Sequence, residues 1–375
     1  MKSPLSSKQK KIYTAAGSVL FAAALLCFVL AYLAVNCLQS QYEYKRWRGE
    51  NELEFSQVSC FVPVGQGVSK ADIYTFRSAM LTKLTEASIA TDPTPFTDAW
   101  SCSGTMKVFS DKASGTASVT AVGGDFFDFH PLTLVSGHYI SDDTLMKDEV
   151  VLDRELAWFL FGSDEVVGLM FNAAGVQVTV AGVVERETDS SSSKAYTDGM
   201  GLFMNYDTYC DIYNGLTGGD IVAKDLGYVS GAGTAITCYE IVLPNPVKNF
   251  AINAVKDKFP IGSGVIYENT GRFSVAKLFP LVFKLGSRSV QKGVPYPYWE
   301  NAALYAESKA SYLMVLGTAL IVFPALLLLS FLLYRSHLGG TRLREDVLPA
   351  AKETAEEKLR ARQRKQWERA HPGQR

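Results

Sequence analysis

The chain reads as an α+β extracytoplasmic domain, with a discontinuous βαβ-type lobe and an inserted strand-rich lobe, flanked by two transmembrane α-helices. Three observations predict this class. Two long apolar runs without a charged residue lie near the ends, the piece between them is acidic, and a strand–helix pattern opens that piece and returns at its end. A length of 375 residues with 47% hydrophobic and 20% charged side chains is ample for a packed core and excludes wholesale disorder. A net charge of −1 removes the global basic excess of a nucleic-acid binder.

The first span is assigned to residues 12–38, behind a short N-terminus of residues 1–11. No charge falls between Ile12 and Tyr42, and the run exceeds the ~20 residues that cross ~30 Å of hydrocarbon. It is longer than the core of a cleaved signal peptide, and Asn36 before Cys37 spoils a lipoprotein site, so an uncleaved anchor is expected. The second span is residues 310–334, also charge-free, with Pro324 tolerated inside it. Lys2, Lys8, Lys10 and Lys11 precede the first span without an acid. Residues 335–375 form a charged tail with 11 basic and 6 acidic residues. Both termini are therefore expected in the cytoplasm of a bacterial plasma membrane. Residues 39–309, with 22 basic and 32 acidic residues, face outward. Tyr42, Tyr44 and Trp47, and Tyr296, Tyr298 and Trp299, sit where an aromatic belt belongs.

Within the outer piece, residues 54–63 read as a strand. Ser69 with Asp72 forms a capping-box start to a helix whose face is Ile73, Phe76, Met80, Leu84 and Ala87. Two strands follow, at residues 98–109 and 116–122. The inserted lobe, about residues 125–235, holds a short strand at 149–152, a brief helix to Phe161 capped by Asp153, and a β-branched strand at 176–184. The serine run 189–194 and the glycine-rich stretch 215–233 read as exposed loops. At residue 236 the opening pattern returns: a strand to 243, then Asn245 and Pro246 as N-cap and first helical residue before an apolar stripe of Val247, Phe250, Ala251, Ala254, Val255 and Phe259. Val265 to Tyr267 closes the lobe, and residues 272–290 read as a basic amphipathic segment at the membrane, interrupted by Pro280.

No chemistry-bearing motif emerges. His130 and His138 lie outside, His337 and His371 inside, without metal-ligand spacing, and no phosphate loop or nucleophile elbow occurs. Ser191 with Lys194, and Ser289 with Lys292, match an S-x-x-K spacing by chance. Gly123-Gly124-Asp125 and Gly231-Ala232-Gly233 are turns rather than phosphate cradles. Asp142, Asp143, Asp148 and Glu149 lack a calcium loop's alternation and read as acidic surface. Catalytic, cofactor and metal residues are thus all expected to be none. Cys60, Cys102, Cys210 and Cys238 permit two disulfides in three pairings. Cys60 with Cys102 is the preferred bridge, set against buried free thiols.

The stretch Val122-Gly-Gly-Asp-Phe-Phe127, Leu134-Val-Ser-Gly137, Glu149-Val-Val-Leu-Asp153, Leu156-Ala157, Leu160-Phe-Gly162, Val167-Gly168 and Val178 to Val184 resembles the MacB-like periplasmic core domain of MacB- and FtsX-type ABC transporter permease subunits. The resemblance implies an outer domain of two lobes that responds to ATP hydrolysis by a separate or fused nucleotide-binding subunit, and no catalytic residues. Relatives of this type carry three helices after the outer domain, whereas one span and a charged tail follow it here. The expectation is a non-enzymatic module that transmits conformational change or binds a partner. Its expected partners are the lipid bilayer, an ABC ATPase and an FtsX-like permease subunit, in a homo- or hetero-oligomer, without nucleic acid or cofactor. The alternative is a stand-alone extracellular ligand-binding or sensor protein.

Overall fold

The computed structural model describes residues 7–48, 53–89, 95–196, 199–218, 230–231, 233–287, 296–342 and 348–370. The chain divides into two compact units: Val29–Met314, and the paired segments Met1–Phe28 and Val315–Arg375.

The larger unit is organised by one sheet. Its strands are β1 (Phe55–Phe61), β2 (Thr97–Phe109), β3 (Ser114–Gly124), β4 (Thr133–Gly137), β5 (Glu149–Asp153), β6 (Met170–Ala173), β7 (Val176–Glu185), β8 (Gly201–Asn205), β9 (Ser230–Gly231), β10 (Cys238–Pro244) and β11 (Val265–Glu268). The strand order is β11-β1-β10-β2-β3-β8-β5-β7-β4, with β6 paired to β2 and β7, and β9 to β2. Strands from the two ends of the domain therefore pair with each other, and the strands between them in sequence continue the same sheet beyond β3. The long β2–β3 hairpin joins the two groups. Gly123 is required there because a Cβ would stand 2.3 Å from the Trp100 ring, and Gly124 adopts φ +66°.

Two faces of this sheet differ. Against one lie α3 (Lys70–Glu86) and a helix at Phe250–Lys258. Ser69 and Asp72 form the expected capping box, and Ile73, Phe76, Met80 and Leu84 are the buried face. Phe76 makes edge contacts with Tyr239 and Phe259, at 5.4 and 5.3 Å between ring centroids. The second helix starts later than Asn245 and Pro246 suggested. Asn249 takes φ +67°, its side chain makes no cap, and Val247 is exposed. Asn245 still serves the helix from a distance, because its side-chain oxygen accepts from the Ala251 amide at 3.1 Å. The opposite face is covered by α2 (Glu43–Arg48), α4 (Phe126–Phe129) and the start of a long helix at Tyr298, with Phe126, Phe129 and Trp299 among its buried residues.

In the middle of the domain, α5 (Arg154–Phe161) is capped as expected, the Asp153 carboxylate accepting from the Leu156 amide at 2.7 Å. The serine run departs from an exposed loop: Ser191 and Ser192 are buried and lead into α6 (Ser192–Ala195), since Asp189 accepts from the amides of both serines. The start of the glycine-rich stretch continues α7 (Tyr206–Gly218), and its residues 219–229 lie outside the described residues. The helix at Phe250–Lys258 follows as α8.

The preferred disulfide is not formed, and all six cysteines are free. β10 lies between β1 and β2, so Cys60 and Cys102 sit two strands apart, about 9–10 Å at ordinary strand spacing. That exceeds the ~7 Å Cα limit for a bridge. Burial pushes both thiols well above their ordinary range, as inert core cysteines behave.

Following β11 come α9 (Val275–Leu278) and a 3₁₀ segment, Phe279–Ser287. Among the described residues, two helices are long and apolar enough to cross a membrane: α1 (Ser7–Asn36), over Lys11–Asn36, and α10 (Tyr298–Arg342), over Tyr298–Leu333. The second begins twelve residues before the charge-free run, because Trp299, Ala302, Ala303, Ala306 and Ala310 bury one face in the larger unit. In the smaller unit Gly317 meets the first helix closely; a Cβ there would stand 3.2 Å from Cys27 and Phe28. The tail holds α11 (Leu348–Ala370), whose described side chains are exposed.

Candidate functional site

The sheet face under α10 carries a run of buried polar groups. Arg272, just past β11, is 4% exposed at its side chain. Its guanidinium donates to both oxygens of Glu300, Nη2 to Oε1 at 2.6 Å and Nη1 to Oε2 at 2.8 Å, while Nε donates to Glu307 Oε1 at 2.7 Å. Nη1 also reaches Gln41 Oε1 at 3.2 Å and Asn269 Oδ1 at 3.4 Å, and the Tyr267 ring lies 4.8 Å from the guanidinium carbon. Burial works against the charged arginine, and Glu300 and Glu307 reverse that effect and hold its pKa above the ordinary range. Two carboxylates seven residues apart lie on one face of a helix, two turns from each other, so one planar guanidinium can engage both.

Asn269 continues the run into the sheet. Its amide donates to Ser59 Oγ at 2.8 Å, and Ser59 donates to Glu240 Oε1 at 2.7 Å. Ser59 and Glu240 are register partners of β1 and β10. Glu240 Oε2 lies 2.6 Å from His130 Nε2, and the His130 ring packs 4.1 Å from Trp299. A buried polar chain thus runs from α4 through two central strands to α10. Histidine, carboxylate and serine do meet here, but the carboxylate stands between the other two. Nucleophilic activation needs the imidazole between serine and carboxylate, so this is not a catalytic triad.

The segment after the first long helix is tied to the same strands. Gln57 of β1 donates to the Ser40 carbonyl at 2.7 Å, accepts from the Glu43 amide at 3.0 Å, and its backbone accepts from the Asn269 amide at 2.9 Å. Glu43 is buried, and burial pushes its pKa up to about 7 against the opposing pull of Arg46. β1 and the turn after β11 therefore hold both the segment that follows α1 and the start of α10.

A second feature is a cavity of about 200 Å³ between the β3–β8 part of the sheet and the residues entering α10, lined by Ser118, Thr120, Arg186, Tyr196, Tyr298 and Trp299 among others. Arg186 pairs there with the buried Asp153 carboxylate, and Tyr196 stacks on Tyr298 at 4.3 Å. The residues weighed earlier fall elsewhere. His138 is exposed beside Glu149 at 3.8 Å, the Lys194 ammonium donates to the Tyr305 hydroxyl while only its backbone amide meets the Ser191 carbonyl, and Ser289, Lys292 and His371 lie outside the described residues. Asp142 belongs to an ion-pair group with Lys70 and Lys147 rather than to a free acidic surface. Among the described residues no group of three or more His, Cys, Asp or Glu side chains could hold a metal.

Arg272, Glu300 and Glu240 escaped the sequence reading. One signal was present: Glu300 and Glu307, i and i+7, immediately before an apolar span, where unpaired acids would be costly.

The fold and this site define a mixed α/β domain carried between two candidate membrane helices and tied to the start of the second. Residues 55–230 match the family described as MacB-like periplasmic core domain. Among solved structures, the chain is similar to the extracellular domain of the noncanonic ABC-type transporter YknZ from Gram-positive bacteria. That match has 12% identity and TM-score 0.35, over 54% of this chain and 92% of that one. The periplasmic region of MacB from Actinobacillus actinomycetemcomitans matches at 16% identity and TM-score 0.37, over 63% and 94%. A domain of a putative permease protein from Porphyromonas gingivalis matches at 14% and 0.31, over 57% and 88%. No curated protein matches the chain.

Proposed function

We propose that the chain is a non-catalytic, membrane-anchored module of a MacB/FtsX-type ABC transporter complex, which passes conformational change between its outer domain and its membrane helices. The observation that carries this reading is the buried Arg272–Glu300–Glu307 cluster. A charged side chain taken out of water tolerates little loosening of its partners, so a shift of α10 must either move the sheet with it or break the cluster. The basic N-terminus and tail support cytoplasmic termini and an extracytoplasmic central domain. On this reading the strands β11-β1-β10-β2 form one lobe, fixed to the helices, and β8-β5-β7-β4 form the second, free to engage a partner.

The test is gentle solubilisation of native membranes, recovery of the full chain through its tail, and identification of what accompanies it by mass spectrometry. Near-equal amounts of an ABC ATPase and an FtsX-like permease are expected. Recovery of the chain alone, with neither above background, overturns the proposal. The second reading, a stand-alone sensor, draws on the 200 Å³ aromatic-lined cavity; a ligand-dependent rise in melting temperature that is lost on filling it would favour that reading.

A further inference from the structure

We propose that the segment Val275–Phe283 is an interfacial anchor, lying in the outer leaflet of the bilayer beside the point where α10 enters it. Three observations place it there. Ser311, the second residue of the charge-free run, donates through its hydroxyl to the Leu278 carbonyl at 2.8 Å, which fixes this segment at the level where the apolar run begins. Leu278 is buried, so the segment has an inner side. Away from Leu278 it exposes large apolar groups: Val275 at 67%, Phe279 at 37% and Phe283 at 82%.

Exposed aromatic and aliphatic side chains of that size are costly in water, and at the edge of a bilayer they gain an apolar medium. Lys277 is half exposed, donates to the Thr270 carbonyl in the turn after β11 at 3.2 Å and lies 3.9 Å from Glu268, so its ammonium stays at the polar edge of the segment. The 3₁₀ course from Phe279 is consistent with Pro280, whose missing amide hydrogen breaks α-helical bonding. The neighbouring aromatic groups Tyr42 and Phe273, 6.1 Å apart, extend the same belt toward the segment after the first long helix. The occupant of this apolar face is therefore lipid. The segment would anchor the turn that presents Arg272, so that the cluster is referenced to the membrane surface as well as to α10.

The inference is tested with the full chain in native membranes, carrying a photoreactive benzophenone side chain at one position at a time. Position 283 is the probe. Leu328 on the exposed face of the apolar run and Leu145, fully exposed at a loop tip of the central domain, are the references. A phospholipid adduct at 283 and 328, with none at 145, is expected. Absence of lipid adduct at 283, a polypeptide adduct there in its place, or equal lipid labelling at 145 overturns the proposal. The result is independent of whether any transporter subunit accompanies the chain.

Discussion

The two faces of the central sheet are built on opposite principles. Under α3 and α8 the contacts are almost wholly apolar, with Val58, Cys60, Phe76, Met80, Tyr239 and Ile241 in one continuous core. Its few polar groups, such as Asp98 gripped by Arg77 and Tyr239, stand at its margin. Under α10 the same strands present Gln57, Ser59 and Glu240, joined to Arg272, Glu300 and His130. An apolar core tolerates sliding of one methyl group past another, whereas a buried ion pair is satisfied in one geometry. The first face supplies stability, and the second fixes where the long helix sits. A buried salt bridge adds little net stability, which suits a part whose task is position.

The largest effect that would break this contrast is expected at Arg272. Arg272→Met leaves Glu300 and Glu307 buried without a cation and should lower the unfolding free energy of the full chain by about 3–5 kcal/mol. The triple variant Arg272→Met, Glu300→Leu, Glu307→Leu removes all three charges. It should recover most of that loss, as read by urea unfolding in detergent. A triple variant as unstable as the single one would show that the cluster matters for stability rather than placement. Phe76→Ala, on the other face, should cost about 3–4 kcal/mol, with no partner substitution able to recover it.

Next in size is a pH effect confined to the α10 side. Burial raises the Glu43 carboxyl to about 7, above its ordinary 4.5. A group with a raised pKa in the folded state contributes stability that is complete below its unfolded pKa and is lost as pH rises through the folded value. Stability should therefore fall between about pH 4.5 and pH 7, by roughly 3 kcal/mol, and Glu43→Gln should flatten that slope in unfolding measured across the range. Ser69→Ala, which removes the capping box of α3, should cost about 1 kcal/mol at neutral pH, and less in acid, because Ser69 holds the Asp72 carboxyl below its ordinary pKa. Smallest is Lys83→Ala. Its ion pair with Asp257 spans 3.0 Å at the surface and should shift the urea midpoint by less than about 0.5 kcal/mol equivalent.

The apolar face was the legible one. Ile73, Phe76, Met80 and Leu84 recur at helical spacing, Ser69 and Asp72 announce the start, and the β-branched run at 176–184 can only be a strand. The strands β4, β6 and β8 were harder, being four or five residues long and bounded by residues that equally suit turns. The site was not legible as a site. Arg272 lies 28 and 35 residues from its carboxylates, and Glu240 lies 110 from His130, so no local spacing records their contact. A lone arginine at the head of a basic amphipathic segment reads as a solvated charge until the sheet brings Asn269 and α10 around it. The disulfide failed for a related reason: strand content at Cys60 and Cys102 says nothing of which strand lies between them.

The Arg272 cluster is expected to hold the first turns of α10, around Glu300 and Glu307, and the sheet as one body. Amide hydrogen exchange of the full chain, with and without Arg272→Met, tests it most directly. The account predicts that the substitution speeds exchange together in residues 299–307 of α10 and in the β1–β10 pair around Ser59 and Glu240, while α3 and α8 stay protected. Faster exchange confined to the neighbourhood of residue 272, with α10 and the β1–β10 pair unchanged, would contradict it.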